Sequence, residues 1–309
     1  MGTDDHDRIE AAARALRDGD LVILPTETVY GLAADATNAR AVARLYEAKG
    51  RPAFNPLIAH VADVAAARRI ARFDPRAERL AGRFWPGPLT LVLPAIEGGV
   101  CDLTRAGLDT VAVRAPSHPT AAAVLKAFGG PVAAPSANRS GRPSPTTFAD
   151  AMEETGATAA LGLDGGACAV GLESTVVALL DEARLLRPGA VTRAAIEAVI
   201  GPLAEAEADA RRSPGRLARH YAPNAPVRLE AASPRPGEAW LAFGHAPAGE
   251  GVWNLSPSGD LTEAAANLFA FLRAADRARP TAIAVAPIPV EGLGEAINDR
   301  LRRAAGFVG

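Results

Sequence analysis

The sequence predicts an α/β protein of two domains, on three observations. Short apolar runs ending at proline, glycine or polar residues alternate with stretches of helical period along most of the chain. The 309 residues suffice for two domains at roughly 100–200 residues each. Segment 202–226 then breaks the alternation with four prolines and little apolar content. The expected division is a first domain at 1–201, a proline-rich linker at 202–226 and a smaller α/β domain at 227–309.

In order along the chain, Ile9, Ala13 and Leu16 have helical spacing and Gly19 fits a helix stop, so residues 1–20 read as a helix feeding a strand. Leu21–Leu24 is four apolar residues before a proline, a buried strand. Thr26-Glu27-Thr28, with Tyr30 and Gly31 behind, reads as a polar loop. Asn38 caps a helix with Val42, Leu45 and Tyr46 on one face, stopped by Gly50. Leu57–Val61 is the next strand. Ala62–Arg72 has helical period, and Pro75 suits the first turn of a further helix ending near Trp85-Pro86-Gly87. Strands follow at Leu89–Leu93 and Thr110–Arg114, a helix at Thr120–Phe128, a strand at Val132–Ala134 and a helix at Thr147–Glu154. Ser174–Leu180 and Arg184–Leu186 form a strand pair, and Thr192–Ile200 a helix. Beyond the linker, Val227–Leu229, Ala239–Phe243 and Thr281–Val285 read as strands, and Leu261–Ala278 and Glu295–Ala305 as helices.

A formal net charge of −2 argues against a chain that holds nucleic acid by bulk charge. Cys101 and Cys168 are the only two cysteines and form no CxxC pair, which gives no zinc ribbon or disulfide framework and suits a reducing cytosol. No apolar run approaches ~18 residues and the N-terminus is acidic, so neither a membrane span nor a secretory signal is expected. The expected location is cytoplasmic.

Phosphate loops of the GxxxxGK[ST] type, GxGxxG turns, HExxH helices and GxSxG elbows are absent. What remains is cations, hydroxyls and amides at strand ends. That inventory suits transfer at a phosphate, which needs positioning and charge neutralisation more than acid–base groups. Lys49 and Arg51 flank Gly50 in a loop between buried strands, where they could hold an anion or simply form a solvated basic turn.

Four stretches carry a family resemblance: PTETVYGL at 25–32, KGRPAFNPLIAHV at 49–61, APSANRSGRPSPT at 134–146 and GLESTVV at 171–177. Together, in this order and at strand ends, they resemble the threonylcarbamoyl-AMP synthase family, the YrdC-like proteins, in the long form with an extra C-terminal domain. The resemblance covers almost the whole chain. It implies an open, twisted, mixed α/β sheet with a concave site, followed by the second, smaller α/β domain. It also implies a nucleotidyltransferase reaction, in which L-threonine, bicarbonate or CO2 and ATP give threonylcarbamoyl-adenylate and pyrophosphate. A separate downstream threonylcarbamoyl transferase would use the product to modify tRNA. Mg2+ would accompany ATP, with no dedicated protein ligands visible in the sequence.

By the same resemblance, Thr28, His60, Arg114, Ala134 and Ser174 match positions that contact threonine. Lys49, Arg51, Asn55, Thr110, Ser136, Asn138, Ser144, Arg187 and Tyr221 match positions that contact ATP, with Lys49 and Arg51 expected to act in catalysis. On the residues alone, His60 also reads as a core histidine, Arg114 as a salt-bridged strand end, Ser136 with Asn138 as a stabilised turn, and Arg187 as a solvated turn charge. The linker, SPGRLARHYAP, resembles a segment that lies over the family's site, and Arg219, His220 and Tyr221 would make it a lid. Two departures stand out. Arg216-Leu217-Ala218 replaces Met-Lys-Tyr, and Ala178 stands where the family commonly has Asp.

Two other functions fit parts of the sequence. A non-catalytic RNA-binding module of the same fold would want a basic stripe, which the net charge does not supply, so tRNA contact is possible but not evident. A carbamoyl-transfer enzyme of hydrogenase maturation would want cysteine-rich zinc motifs, which two isolated cysteines cannot form.

Overall fold

Strand residues split cleanly between two apolar faces. Ile23 and Leu32 face one core and Val22, Leu24 and Ala33 the other. This is the period of two that a strand buried on both faces requires. The coordinates, a computed structural model, describe residues 3–204 and 221–306.

A nine-stranded mixed sheet organises the first part of the chain. Its strands are β1 (Val22–Leu24), β2 (Gly31–Asp35), β3 (Ile58–His60), β4 (Leu89–Pro94), β5 (Thr110–Arg114), β6 (Val132–Ala133), β7 (Leu161–Gly162), β8 (Thr175–Leu179) and β9 (Ala183–Arg187). They lie in the order β7-β1-β2-β6-β3-β5-β4-β8-β9. The pairs β1–β7, β3–β5 and β4–β8 are parallel; the others are antiparallel. On one face pack α1 (Thr3–Arg17) and α5 (Pro119–Phe128), through Ile9, Leu16, Val124 and Leu125. On the other lie α2 (Ala39–Lys49), α4 (Pro75–Phe84), α6 (Phe148–Thr155) and α7 (Arg193–Ile200), with Val42, Leu45, Leu80, Ala151 and Ile196 in the core. A third, smaller apolar patch of Ile58, Val92, Ala112, Val176, Ala178 and Leu186 covers part of the remaining surface. Ala178, opposite Val92 on β4 and Arg184 on β9, belongs to that patch.

Helix ends follow their local chemistry. Asn38 accepts hydrogen bonds from the Arg40 and Ala41 amides, and Gly50 closes α2 in the left-handed region at φ 58°. Asp74 caps α4 ahead of Pro75, and Thr147 and Thr192 cap α6 and α7. The expected helix over Ala62–Arg72 is only α3 (Val64–Ala67). The chain leaves it because Ala71 must bridge to Ala95 and the Ile70 carbonyl must accept from the Ile96 amide. Gly31–Asp35, expected as loop as far as Gly31, is a strand paired on both edges, with β1 and β6.

The second sheet is parallel throughout. It comprises β10 (Val227–Arg228), β11 (Ala239–Ala242), β12 (Val252–Asn254) and β13 (Ile283–Val285), in the order β10-β13-β11-β12. Helices α8 (Leu261–Arg277) and α9 (Leu293–Ala304) cover it through Leu268, Phe269, Leu272, Ile297 and Leu301. This core is continuous with the first part of the chain, because Val29, Leu172 and Tyr221 pack into it. At that contact a Cβ on Gly171 would lie 2.5 Å from the Ala266 backbone, so only glycine lets α8 approach this closely. Ion pairs border the seam. Arg273 on α8 meets Glu154 at 3.1 Å, and Arg193 meets Glu295 at 3.2 Å. Of the residues on which the lid expectation rests, Arg219 and His220 lie outside the described residues, as do the departures Arg216, Leu217 and Ala218, and Tyr221 alone is described.

Candidate active site

The four motif stretches converge on one cleft of about 460 Å³ of open space. It is lined by Arg51, Ile58, Ala134, Ser136, Arg187, Tyr221 and others, and on one wall by Glu173.

Two cations, Arg51 and Arg187, line this cleft, and a third, Lys49, is buried behind its Ser136 wall. Lys49, the last residue of α2, is 3% exposed, and its Nζ donates to the carbonyls of Ser136 and Asn138. Burial, and then the neighbouring Arg51 charge, push its pKa well below the ordinary lysine value. Arg51, half-buried, donates to the Asn55 carbonyl at 3.3 Å and the Pro56 carbonyl at 3.0 Å, and burial lowers its pKa to about 10. Arg187, at the end of β9, binds the Ser174 carbonyl through Nε at 3.1 Å and Nη2 at 2.9 Å. Among the described residues, none of the three forms an ion pair; backbone oxygens hold them directly, and the carboxylates of Glu154, towards Lys49, and Glu173, towards Arg187, act only at longer range. The solvated-turn readings of Lys49 and Arg187 therefore fail.

Polar side chains fix the loops around these cations. Ser136 Oγ donates to Asn138 Oδ1, and Asn138 Nδ2 ties the loop closed at the Arg139 and Arg142 carbonyls. Asn55 Nδ2 is buried with no hydrogen-bond partner among the described residues, a donor left for a ligand. Ser144 Oγ donates to Glu173. Thr110 starts β5, at the opposite end of that strand from Arg114, and is not among the residues lining the cleft.

A second polar cluster sits at the ends of β3, β5 and β8. Arg114 is buried and fully engaged, to Glu27 Oε1 at 2.7 Å, Thr28 Oγ1 at 2.9 Å and the Gly87 carbonyl at 3.2 Å. Burial works against the Glu27 charge, but the Arg114 charge and hydrogen bond outweigh it and leave the Glu27 pKa below the usual carboxylate value. His60 pairs in register with Arg114 across β3 and β5. Its Nδ1 lies 3.2 Å from the Ile58 carbonyl; burial first, then the Arg114 charge, lower its pKa to about 3, so the ring is neutral at pH 7. Ser174 Oγ shares a hydrogen bond with Thr90 at 2.8 Å and accepts from Arg187 at 3.2 Å, which links the two clusters. Ala134 lies between them, its amide on the Ile58 carbonyl.

The sequence reading passed over Glu27, Thr90, Glu173 and Arg300. Glu27 and Glu173 lie inside the PTET and GLES stretches, so a carboxylate within a motif was the available signal. Arg300, on a helix of the second sheet, had none.

Comparison with known proteins decides the family. The family described as "Telomere recombination" matches residues 14–189, and that described as "Threonylcarbamoyl-AMP synthase, C-terminal domain" matches 191–306. The threonylcarbamoyl-AMP synthase of Bacillus subtilis is 39% identical, covering 97% of this chain and 93% of its own. That of Pyrococcus abyssi is 41% identical over 97% and 94%. The chain belongs to the threonylcarbamoyl-AMP synthase family. It has the family's long form, with both matched regions present. A solved structure of P. abyssi Sua5 complexed with L-threonine superposes with a TM-score of 0.91 at 39% identity, over 98% of this chain and 95% of that one. Escherichia coli YciO, at 22% identity and TM-score 0.53, shares the fold over 60% of this chain. A HypF structure, at 23% and 0.52, does so over 58% of this chain and 28% of its own.

Proposed function

We propose that this chain forms threonylcarbamoyl-AMP and pyrophosphate from L-threonine, bicarbonate or CO2, and ATP. The observation that carries the reading is the pairing of a cleft whose cations, Arg51 and Arg187 with Lys49 buried behind them, form no ion pair among the described residues, and a neighbouring cluster built on a neutralised arginine. A nucleoside triphosphate brings the negative charge the first lacks. A zwitterionic amino acid suits the second, where a guanidinium and a carboxylate stand side by side.

Threonine's neutral amine adds to CO2 and loses a proton, giving a carbamate. A carbamate oxygen then attacks the α-phosphorus of ATP. The new P–O bond forms as the bond to the β-phosphate oxygen breaks, and pyrophosphate leaves with the electron pair. In this scheme Lys49, Arg51 and Arg187 neutralise phosphate oxygens as charge moves to the leaving group. Asn55, Ser136, Asn138, Ser144 and Tyr221 hold the nucleotide. Arg114 orients the threonine carboxylate, while Thr28, His60, Ala134 and Ser174 surround the amino acid.

Mg2+ would enter on the triphosphate. Among the described residues no group of three or more His, Cys, Asp or Glu could hold a metal, and Glu173, the carboxylate lining the cleft, is already bonded by Ser144 and Arg300. These residues do not fit a protein-built metal site, so no step is assigned to the ion. The product is a mixed anhydride, and a separate transferase acting on tRNA would consume it. Among the described residues no helix is long and apolar enough to cross a membrane.

The test is pyrophosphate release by the purified chain. It should require threonine, bicarbonate and ATP together, with serine a poorer substrate and valine poorer still, because a site that bonds a hydroxyl rejects the analogue lacking it. Release independent of threonine, or equal turnover of valine, would overturn the reading.

A further inference from the structure

A buried cation outside both clusters comes from a helix that covers the second sheet. Arg300, on α9, is 1% exposed and reaches across the seam. Its Nε donates to Glu173 Oε2 at 2.8 Å, and its Nη1 to the Pro188 carbonyl at 2.9 Å and Asp299 Oδ2 at 2.7 Å. Its guanidinium carbon lies 5.4 Å from the centre of the Tyr221 ring, within cation–π range. Tyr221 also packs against Phe269 of α8, at 5.4 Å between ring centres. Tyr221 itself adopts φ 61°, a left-handed conformation that a non-glycine residue holds only when its surroundings fix it.

Apart from its chain neighbour Asp299, the partners of Arg300 lie on or beside the nucleotide cleft. Glu173 and Tyr221 line it, and Pro188 follows Arg187 directly. The other Glu173 oxygen accepts from Ser144. A carboxylate on the wall of a cleft that takes a polyanion is an electrostatic liability unless it is neutralised. Arg300 supplies that neutralisation from outside the first sheet.

We propose that Arg300 is a positioning residue for the nucleotide, so that the second domain completes the ATP site. It cancels the Glu173 charge, through Glu173 it fixes Ser144, and it supports the Tyr221 ring from beneath. This inference rests on the proposed function, since it takes ATP as the ligand of the cleft.

The experiment is calorimetric binding of an ATP analogue with methylene between the α- and β-phosphorus, and separately of threonine, to the full chain. Arg300→Met should weaken the analogue by at least about tenfold, since the Glu173 charge is left unpaired, while threonine affinity stays within about twofold. Arg300→Lys keeps a cation but not the fork and should fall between wild type and Arg300→Met. Arg300→Met combined with Glu173→Gln should recover much of the lost nucleotide affinity, which a residue serving only domain docking would not allow. Should Arg300→Met fail to fold, the Lys variant and the Glu173→Gln combination carry the same comparison. Equal weakening of both ligands, unchanged nucleotide binding, or no recovery in the double variant would overturn the inference. A wild-type chain that ignores the analogue would instead overturn the proposed function.

Discussion

The two polar clusters differ in how their cations are kept. At the cleft, Lys49, Arg51 and Arg187 are held by the carbonyls of Ser136, Asn138, Asn55, Pro56 and Ser174. At the strand ends, Arg114 sits in a buried ion pair with Glu27. Carbonyl dipoles orient a cation without cancelling its charge. The first cluster is therefore a set of cations with no directly paired carboxylate, whereas the second holds its cation in an ion pair while leaving Glu27 Oε2 buried without a hydrogen-bond partner among the described residues. The difference teaches that ligand net charge is written into the protein's own side chains. A polyanion has the most to gain at the cleft, and a zwitterion loses least at the pair.

The largest effect expected from this contrast is on stability at the pair. Arg114→Met strands the Glu27 charge in a buried site and should cost ~3–5 kcal/mol of folding free energy. Adding Glu27→Gln should return part of that stability without returning threonine turnover. Urea unfolding of the two variants measures it, and an Arg114→Met chain as stable as wild type would break the comparison. Next come the cleft cations, whose loss should show in rate. Lys49→Ala and Arg51→Ala should each slow pyrophosphate release by ~10²-fold if they stabilise transition-state charge. Wild-type rates in both would remove them from the chemistry.

A third effect, confined to acid conditions, is pH dependence. The unfolded chain binds a proton at His60 near the ordinary pKa of 6.5, whereas the folded chain does not until about pH 3. Folding stability should therefore fall as pH drops below about 6.5, with the loss continuing towards pH 3. The Glu27 pKa is lowered on folding, so its contribution is present above the usual carboxylate pKa of 4.5 and is lost as pH falls through its depressed folded value. His60→Gln should flatten the stability–pH slope between 6.5 and 4.5 by about one proton. An unaltered slope would show that His60 is not held neutral.

Much of this was legible in the sequence because it is local. Asn38, Gly50, Pro75 and Thr147 mark helix ends through contacts within a few residues of themselves. The strand at Gly31–Asp35 was not legible. Its GLAAD sequence has no β-branched residue, and pairing with β1 and β6 makes it a strand. The two-residue β7 and the three-residue β12 are likewise products of their neighbours. In the site, the motifs marked the loops, but burial decided the chemistry. A run of KGR reads equally as solvated basic turn until α2 and the Ser136–Asn138 loop enclose Lys49. Arg300 lay beyond reach because its partners are far away in the chain.

The most direct test of the two-cluster account is a crossed binding measurement. Lys49→Ala and Arg114→Lys are each titrated with the methylene ATP analogue and with threonine alone. The account predicts that Lys49→Ala weakens the nucleotide by more than about tenfold and leaves threonine within about twofold, while Arg114→Lys does the reverse. Both variants weakening both ligands alike, or the losses falling on the opposite ligands, would contradict it.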